Sequence, residues 1–213
     1  MLVGFNLLAQ SELTLPLFEN VFQSSYLKPT VRPEHTISIG LPGIPSVYAQ
    51  GINNGFLPKP VTYWENDTLR LDPALIPNEL LKRNMIFANA DVDLFHLRLR
   101  IYNWDYWVGV RQRHSLSFFY PKDLISMAIE GNASRVGETL DFSSLGFNVS
   151  LFREYTFGMA TELDKWVIGG RISFLQGLSN AYLKPQMMEG FIDDDMFGHS
   201  ITANAVLRTA GLP

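Results

Sequence analysis

The most constraining feature of this sequence is a two-residue alternation of apolar and polar side chains, sustained far beyond the five or six residues of an ordinary strand. From Ile86 to Leu94 the apolar positions are Ile86, Ala88, Ala90, Val92 and Leu94, set against Asn89, Asp91 and Asp93. After Phe95 the phase inverts, and Phe95, Leu97, Leu99 and Ile101 oppose His96, Arg98 and Arg100. A one-residue shift of this kind is what a β-bulge produces. A compact turn at Asn103 to Asp105 is expected to send the chain back. Tyr106, Val108, Val110, Leu116 and Phe118 then alternate against Trp107, Arg111, Arg113, Ser115 and Ser117. Gln112 and His114 break the apolar side of this return strand. A second hairpin repeats the design: Leu145, Phe147, Val149, Leu151, Tyr155, Phe157 and Met159 share one side, and Glu154 and Thr156 lie on the other. After a turn at Leu163 to Lys165, Trp166, Ile168, Ile172 and Phe174 oppose Arg171 and Ser173.

Such strands have two faces made for two different solvents. Hydrophobic residues are 46% of the chain and charged residues 18%, with a mean hydropathy of +0.04. That balance is too polar for a bundle of membrane helices, and no stretch reaches the roughly 18 apolar residues of a spanning helix. It fits strands averaged over a lipid-facing and a water-facing side. In hydrocarbon every backbone N–H and C=O must be paired, so strands span only as a closed barrel. An arginine on the lipid face at mid-depth costs about 2–4 kcal/mol. Arg98, Arg100, Arg111, Arg113 and Arg171 are therefore expected to point inward, with Asp91, Asp93, Glu154 and Glu162 as partners. Arg153 breaks the apolar side of its strand and is read as an interface position. The alternative fold is a soluble two-layer β-sandwich binding module, with these arginines on its solvated outer face.

The remaining chain reads in shorter pieces. Residues 1–9 (MLVGFNLLA) resemble the end of a signal peptide cut after Ala9. No basic residue precedes them, and a buried N-terminal strand is the alternative. Pro29 and Pro33 forbid helix. Ile37, Ile39 and Leu41 alternate within a short strand over His35 to Leu41, and a second is expected over Val47 to Ile52. An irregular loop is expected from Phe56 to Asp72, with a turn at Asn66-Asp67. Pro73 to Arg83 reads as a short helix capped by Asp72, with a start only at the interrupting Pro77 as the alternative, and Pro121 to Gly131 as another, followed by a loop to Ser144. A last strand is expected over Ser200 to Thr209. About seven strands are counted, whereas bacterial barrels start at eight. The chain end at Leu212-Pro213 lacks a terminal aromatic strand. Residues 10–213 are accordingly expected to form the N-terminal portion of a larger barrel.

Catalytic signatures are missing from the sequence. There is no cysteine, the net charge is −4, and no nucleic-acid footprint is present. His35, His96, His114 and His199 lack metal-ligand spacing, and Asp193-Asp194-Asp195 reads as a solvated loop tip. No GxSxG, P-loop or GxGxxG occurs, and Gly169-Gly170 sits mid-strand, where small residues permit bending. No catalytic, cofactor-binding or metal residue is assigned, no cofactor is expected, and the protein is not expected to be an enzyme.

Several stretches together resemble a known family. They are QSSYLKPTVRPEHTISIGLPGIPSVY (23–48), ADVDLF (90–95), YPKDL (120–124) with Glu130-Gly131-Asn132, and Arg153-Glu154-Tyr155 followed by VIGGR (167–171). In these the chain resembles the Bacteroidota family called domain of unknown function 5723, from about Gln23 to Gly177. The Ala9-Gln10 junction is likewise similar to cleavage sites of exported Bacteroidota proteins. The resemblance implies an exported all-β protein in the cell outer membrane. The implied barrel is distantly similar to fatty-acid-transporter-like and type IX secretion accessory barrels. The functional expectation is a conduit for small hydrophobic molecules, and the alternative is a structural or secretion-accessory barrel. The expected partners are membrane lipid and periplasmic or secretion-system proteins.

Overall fold

A computed structural model of the chain describes residues 21–41, 46–55, 58–193 and 198–211. The signal-peptide reading and Asp194-Asp195 lie outside them. Ten strands are present among the described residues. They are β1 (Ile37–Gly40), β2 (Ser46–Asn53), β3 (Thr62–Glu65), β4 (Thr68–Leu71), β5 (Arg83–Ile101), β6 (Trp104–Pro121), β7 (Thr139–Asp141), β8 (Gly146–Leu163), β9 (Trp166–Ile192) and β10 (His199–Ala210). Three short helices join them: α1 (Pro58–Val61), α2 (Ile76–Glu79) and α3 (Lys122–Glu130). The main sheet runs β1-β5-β6-β8-β9-β10, with β2 also paired to β5 and β7 also to β9. The registers of β1 on β5 and of β7 and β10 on β9 are antiparallel. β1 and β10 are not paired with each other among the described residues, so the sheet is mostly antiparallel β without closure.

The chain forms two compact units. One comprises the residues up to Gln50 with Asn89–His114 and Leu151–Leu178; the other comprises the remainder. In the first unit the predicted phase inversion of β5 is visible in burial, where Asp91 and Asp93 are buried and then His96 and Arg98. The turn is Tyr102-Asn103, with Tyr102 at φ 54°. This corrects the expected turn at Asn103 to Asp105, because Asp105 is already an inward strand residue. β6 buries Asp105, Trp107, Gly109 and Arg111 and exposes Trp104, Tyr106 and Val108. β8 buries Glu154, Thr156, Gly158 and Ala160 and exposes Tyr155, Phe157 and Met159. Gly158 is required there, since a Cβ would collide with the Trp107 indole. The apolar cluster of this unit is small: Phe22, Tyr26, Trp107 and Ala160.

In the second unit, β3 and β4 form a hairpin of their own where an irregular loop was expected. Its turn is Asn66-Asp67, at φ 50° and 57°, the left-handed geometry that matches the twist of paired strands. Replacing Asp67 with glycine removes the cost of that conformation. It should stabilise this unit by about 0.5–1 kcal/mol, read as a raised urea midpoint with unchanged slope.

The helix expected over Pro73 to Arg83 is shorter. A 3-10 turn at Pro73–Leu75 leads into α2, the Asp72 carboxylate accepts from the Ala74 N–H (3.0 Å), and Arg83 already begins β5. Buried Asn84 ties these pieces together: it donates to Leu81 O (2.7 Å) and accepts from Leu81 N–H (2.9 Å). α3 follows Pro121 and stops at Gly131, whose φ of 81° suits a residue without a Cβ. It packs on α2 and on β7, a strand absent from the expected loop. Leu140, Phe142 and Ile192 form the core here, flanked by Leu124, Met127, Val136 and Met188. The Ser143 backbone N–H donates to the Asp141 carboxylate (2.9 Å) and, with Lys82 nearby, holds that carboxyl below the usual carboxylate range. β9 runs much further than the alternation around Phe174 indicated. Between Met187 and Pro185 its register on β10 slips by one residue, beside a proline that has no N–H to give the ladder.

Candidate functional site

The strands of the first unit largely invert the usual distribution of side chains: beside the small cluster around Trp107, their inward face carries paired charges and their outward face most of the large apolar groups. Asp105, fully buried on β6, faces three guanidiniums. Arg32 Nε donates to it at 2.8 Å, Arg100 Nε at 3.2 Å and Arg98 Nε at 3.4 Å. Arg32 also pairs with Glu162. Further along the same inward face, Glu154 accepts from Arg111 Nε (2.8 Å), Arg171 Nη1 (3.1 Å) and Arg113 Nη1 (3.4 Å). Asp91 pairs with Arg113 (3.1 Å) and with Arg111 (3.7 Å). Buried charges survive only when paired and hydrogen-bonded, because each ion gives up several kcal/mol of hydration. Every arginine expected to point inward meets a carboxylate.

Lying on this network is the segment from Val21 to Pro33, whose prolines keep it out of helix beyond one 3-10 turn at Phe22–Tyr26. Arg98 donates from Nη1 to Ser25 Oγ (2.8 Å) and from Nη2 to Val31 O (2.5 Å), and Arg100 Nη2 donates to Pro33 O (2.6 Å). Gln23 donates to Asp93 (2.5 Å). The Tyr26 ring lies 4.1 Å from the Arg111 guanidinium carbon, and Phe22 stacks on His96 at 3.9 Å. Arg98 and Arg100 thus serve twice, as partners of Asp105 and as clamps on backbone carbonyls of another segment.

Sequence reasoning missed part of this constellation. Asp105 was assigned to a turn, although it lies in phase with Trp107, Arg111 and Arg113 and could have been found by extending that alternation. Arg32, Gln23 and Tyr26 carry no such signal, since their partners are about 70 residues or more away in sequence. Two expected partners are reassigned: Asp93 is held by Gln23, and Glu162 by Arg32. The four histidines stay apart, and no group of metal-ligating side chains occurs among the described residues.

On the outward face stand Trp104, Tyr106, Val108, Tyr155, Phe157, Met159, Trp166, Ile168, Ile172 and Phe174, each between about a third and three quarters exposed. Burying a large apolar side chain is worth about 1.5–3 kcal/mol. Leaving ten of them roughly half exposed to water would forfeit on the order of 10 kcal/mol, as much as the whole stability of a typical domain. In the sandwich alternative the arginines face solvent, yet Arg98 and Arg111 are 1% and 3% exposed.

These features define a long-stranded antiparallel β protein whose first unit has a charged, ion-paired interior face and an apolar outward face. The family model of DUF5723, a family of unknown function, matches residues 29–213, and the chain belongs to that family. Searches of curated proteins and of solved structures find no match.

Proposed function

We propose that this chain is an outer-membrane protein whose long strands cross the bilayer as part of a β-barrel. The single observation behind this reading is the inverted burial of the first unit, with paired arginines inside and ten large apolar groups outside. Strand length agrees. From Trp166 to Gln176 there are ten steps of about 3.3 Å, which at a tilt of about 40° rise roughly 25 Å, the height of the apolar band in such barrels. Trp104, Tyr106 and Trp166 cluster by the hairpin turns, where aromatic girdles meet headgroups, and Trp104 stacks on Tyr106 at 6.1 Å.

Single-tryptophan variants reconstituted into vesicles with brominated acyl chains test this directly. Emission from Trp104 and Trp166 should be quenched by more than half, while Trp107, 1% exposed on the inner face, stays bright. Equal quenching of all three, or of none, removes the membrane assignment. Heat-modifiable gel mobility of the detergent-solubilised chain is the companion measurement.

Within that reading the interior favours a structural or partner-binding role over an open conduit. Its charges are consumed by one another, and the chain's own segment from Val21 to Pro33 covers them. Planar-bilayer recordings of the full chain should therefore be flat; steady conductance would restore the conduit.

A further inference from the structure

Four polar side chains interrupt the outward face of the first unit, and the interior network uses none of them: Gln176 accepts from the Tyr155 hydroxyl (3.1 Å), and the other three lie together. Arg153 lies on β8 in phase with Tyr155, Phe157 and Met159, opposite the buried Glu154 and Thr156. Gln112 and His114 lie on the neighbouring β6, in phase with Tyr106 and Val108. Gln112 Nε2 and His114 Nε2 are 3.2 Å apart, and Arg153 Nη2 donates to Gln112 Oε1 at 3.5 Å, a weak bond. Arg153 Nε is buried without an acceptor. The inward arginines, Arg111 and Arg113 on β6 and Arg171 on β9, each reach a carboxylate; Arg153 reaches none among the described residues. A guanidinium has five N–H donors in a fork that matches phosphate, and here nearly all of that capacity is unspent.

The position of the trio narrows what can supply the anion. Ten residues separate Arg153 from Leu163 at the end of β8, and eight separate Gln112 from Trp104 at the start of β6. At about 3.3 Å per residue and a tilt of about 40°, these rise roughly 20–25 Å from the aromatic end of the band. By this rise the trio stands about one belt height from the aromatic end, at headgroup level, next to side chains suited to acyl chains; the apolar side of both strands continues past it through Leu116, Phe118 and Val149. This placement rests on the membrane reading above. We infer that Arg153, with Gln112 and His114, binds the phosphate headgroup of an anionic membrane lipid, whose acyl chains lie along Tyr155, Phe157 and Val108. Arginine is the residue for that task because it engages a phosphate through two parallel N–H donors, where lysine offers a point charge.

Native mass spectrometry of the full chain in detergent, with phosphatidylglycerol added as the probe, reads the site. The unaltered chain should retain the lipid. Arg153→Gln should weaken retention about tenfold, and Arg153→Lys should fall between; Arg208→Gln, on β10, is the control and should leave retention unchanged. Heat-modifiable mobility verifies that each variant is folded. Equal retention by Arg153→Gln overturns the proposal, as does equal retention of diacylglycerol, which has no phosphate. Competition by millimolar inorganic phosphate alone would assign a free anion and likewise overturn the lipid. If Trp104 and Trp166 escape quenching by brominated lipid, the membrane reading fails first and takes this site with it. If they are quenched while Arg153→Gln keeps its lipid, this inference alone fails.

Discussion

Replacing Asp105 with asparagine should cost about 3–5 kcal/mol of stability and free the segment from Val21 to Pro33, because one carboxylate neutralises three arginines. Asparagine keeps the shape and one acceptor oxygen, so the charge alone is lost. Arg98 suffers most: it is 1% exposed, and its other acceptors are the neutral Ser25 hydroxyl and the Val31 carbonyl. Arg32 keeps Glu162, and among the described residues the Arg100 side chain keeps only the Pro33 carbonyl. A buried cation without a counter-charge draws in water, and water that solvates Arg98 competes with the Ser25 hydroxyl and Val31 carbonyl it clamps. Two measurements check this. The urea midpoint of heat-modifiable mobility should fall, and chymotrypsin should cut after Tyr26, fully buried in the unaltered protein. A variant that loses less than about 1 kcal/mol and stays resistant at Tyr26 would show that the network does not hold the segment.

Glu154→Gln should be comparably damaging, at about 3–5 kcal/mol, through a different route. Glu154 accepts from Arg111, Arg113 and Arg171 on the two strands beside it, so it links β6, β8 and β9 through their side chains. Without its charge, Asp91 is left facing Arg111 and Arg113, and Arg171 has only the Ser173 hydroxyl (3.2 Å). The loss should therefore appear in the strands, as faster amide exchange along β8 and β9. The grip of Arg98 on Ser25 and Val31 remains, so Tyr26 should stay protected longer than in Asp105→Asn. Adding Arg111→Met to Glu154→Gln should restore part of the stability, since it removes a cation that no longer has its main partner. Buried ion pairs replaced together by apolar groups are often neutral. Additive losses in the double variant would argue against coupling between the two residues.

Much of the strand layout was legible because a strand has a period of two and a buried face is intolerant of phase errors. Ile86 to Ile101 alternates, inverts once and ends in a turn, and burial follows the same course. The hairpin of β3 and β4 was not legible: Tyr63 to Leu71 is short, mixed in polarity and flat in burial, so no pattern separates it from loop. Positive φ at two non-glycine residues closes its turn, and Asn-Asp is a weaker sign of that geometry than Asn-Gly. The second half of β9 failed for another reason. Beyond Phe174 its apolar spacing is broken by Gly177, Pro185 and a run of methionines, while its ladder is held by backbone pairing to β10.

Alternation along each strand is a property of nearest neighbours in the chain, and from it the sequence alone determined which side chains share a face. It also showed that in the two long hairpins one of those faces is largely apolar, broken at Gln112, His114 and Arg153. Pairing between strands and segments far apart in sequence was decided only by the tertiary structure. It put Asp105 among Arg32, Arg98 and Arg100, gave Asp93 to Gln23, and laid the segment from Val21 to Pro33 over the arginines. The physical reason is that an ion pair depends on distances of a few ångströms between groups separated by up to 130 residues, and no local period encodes such a distance.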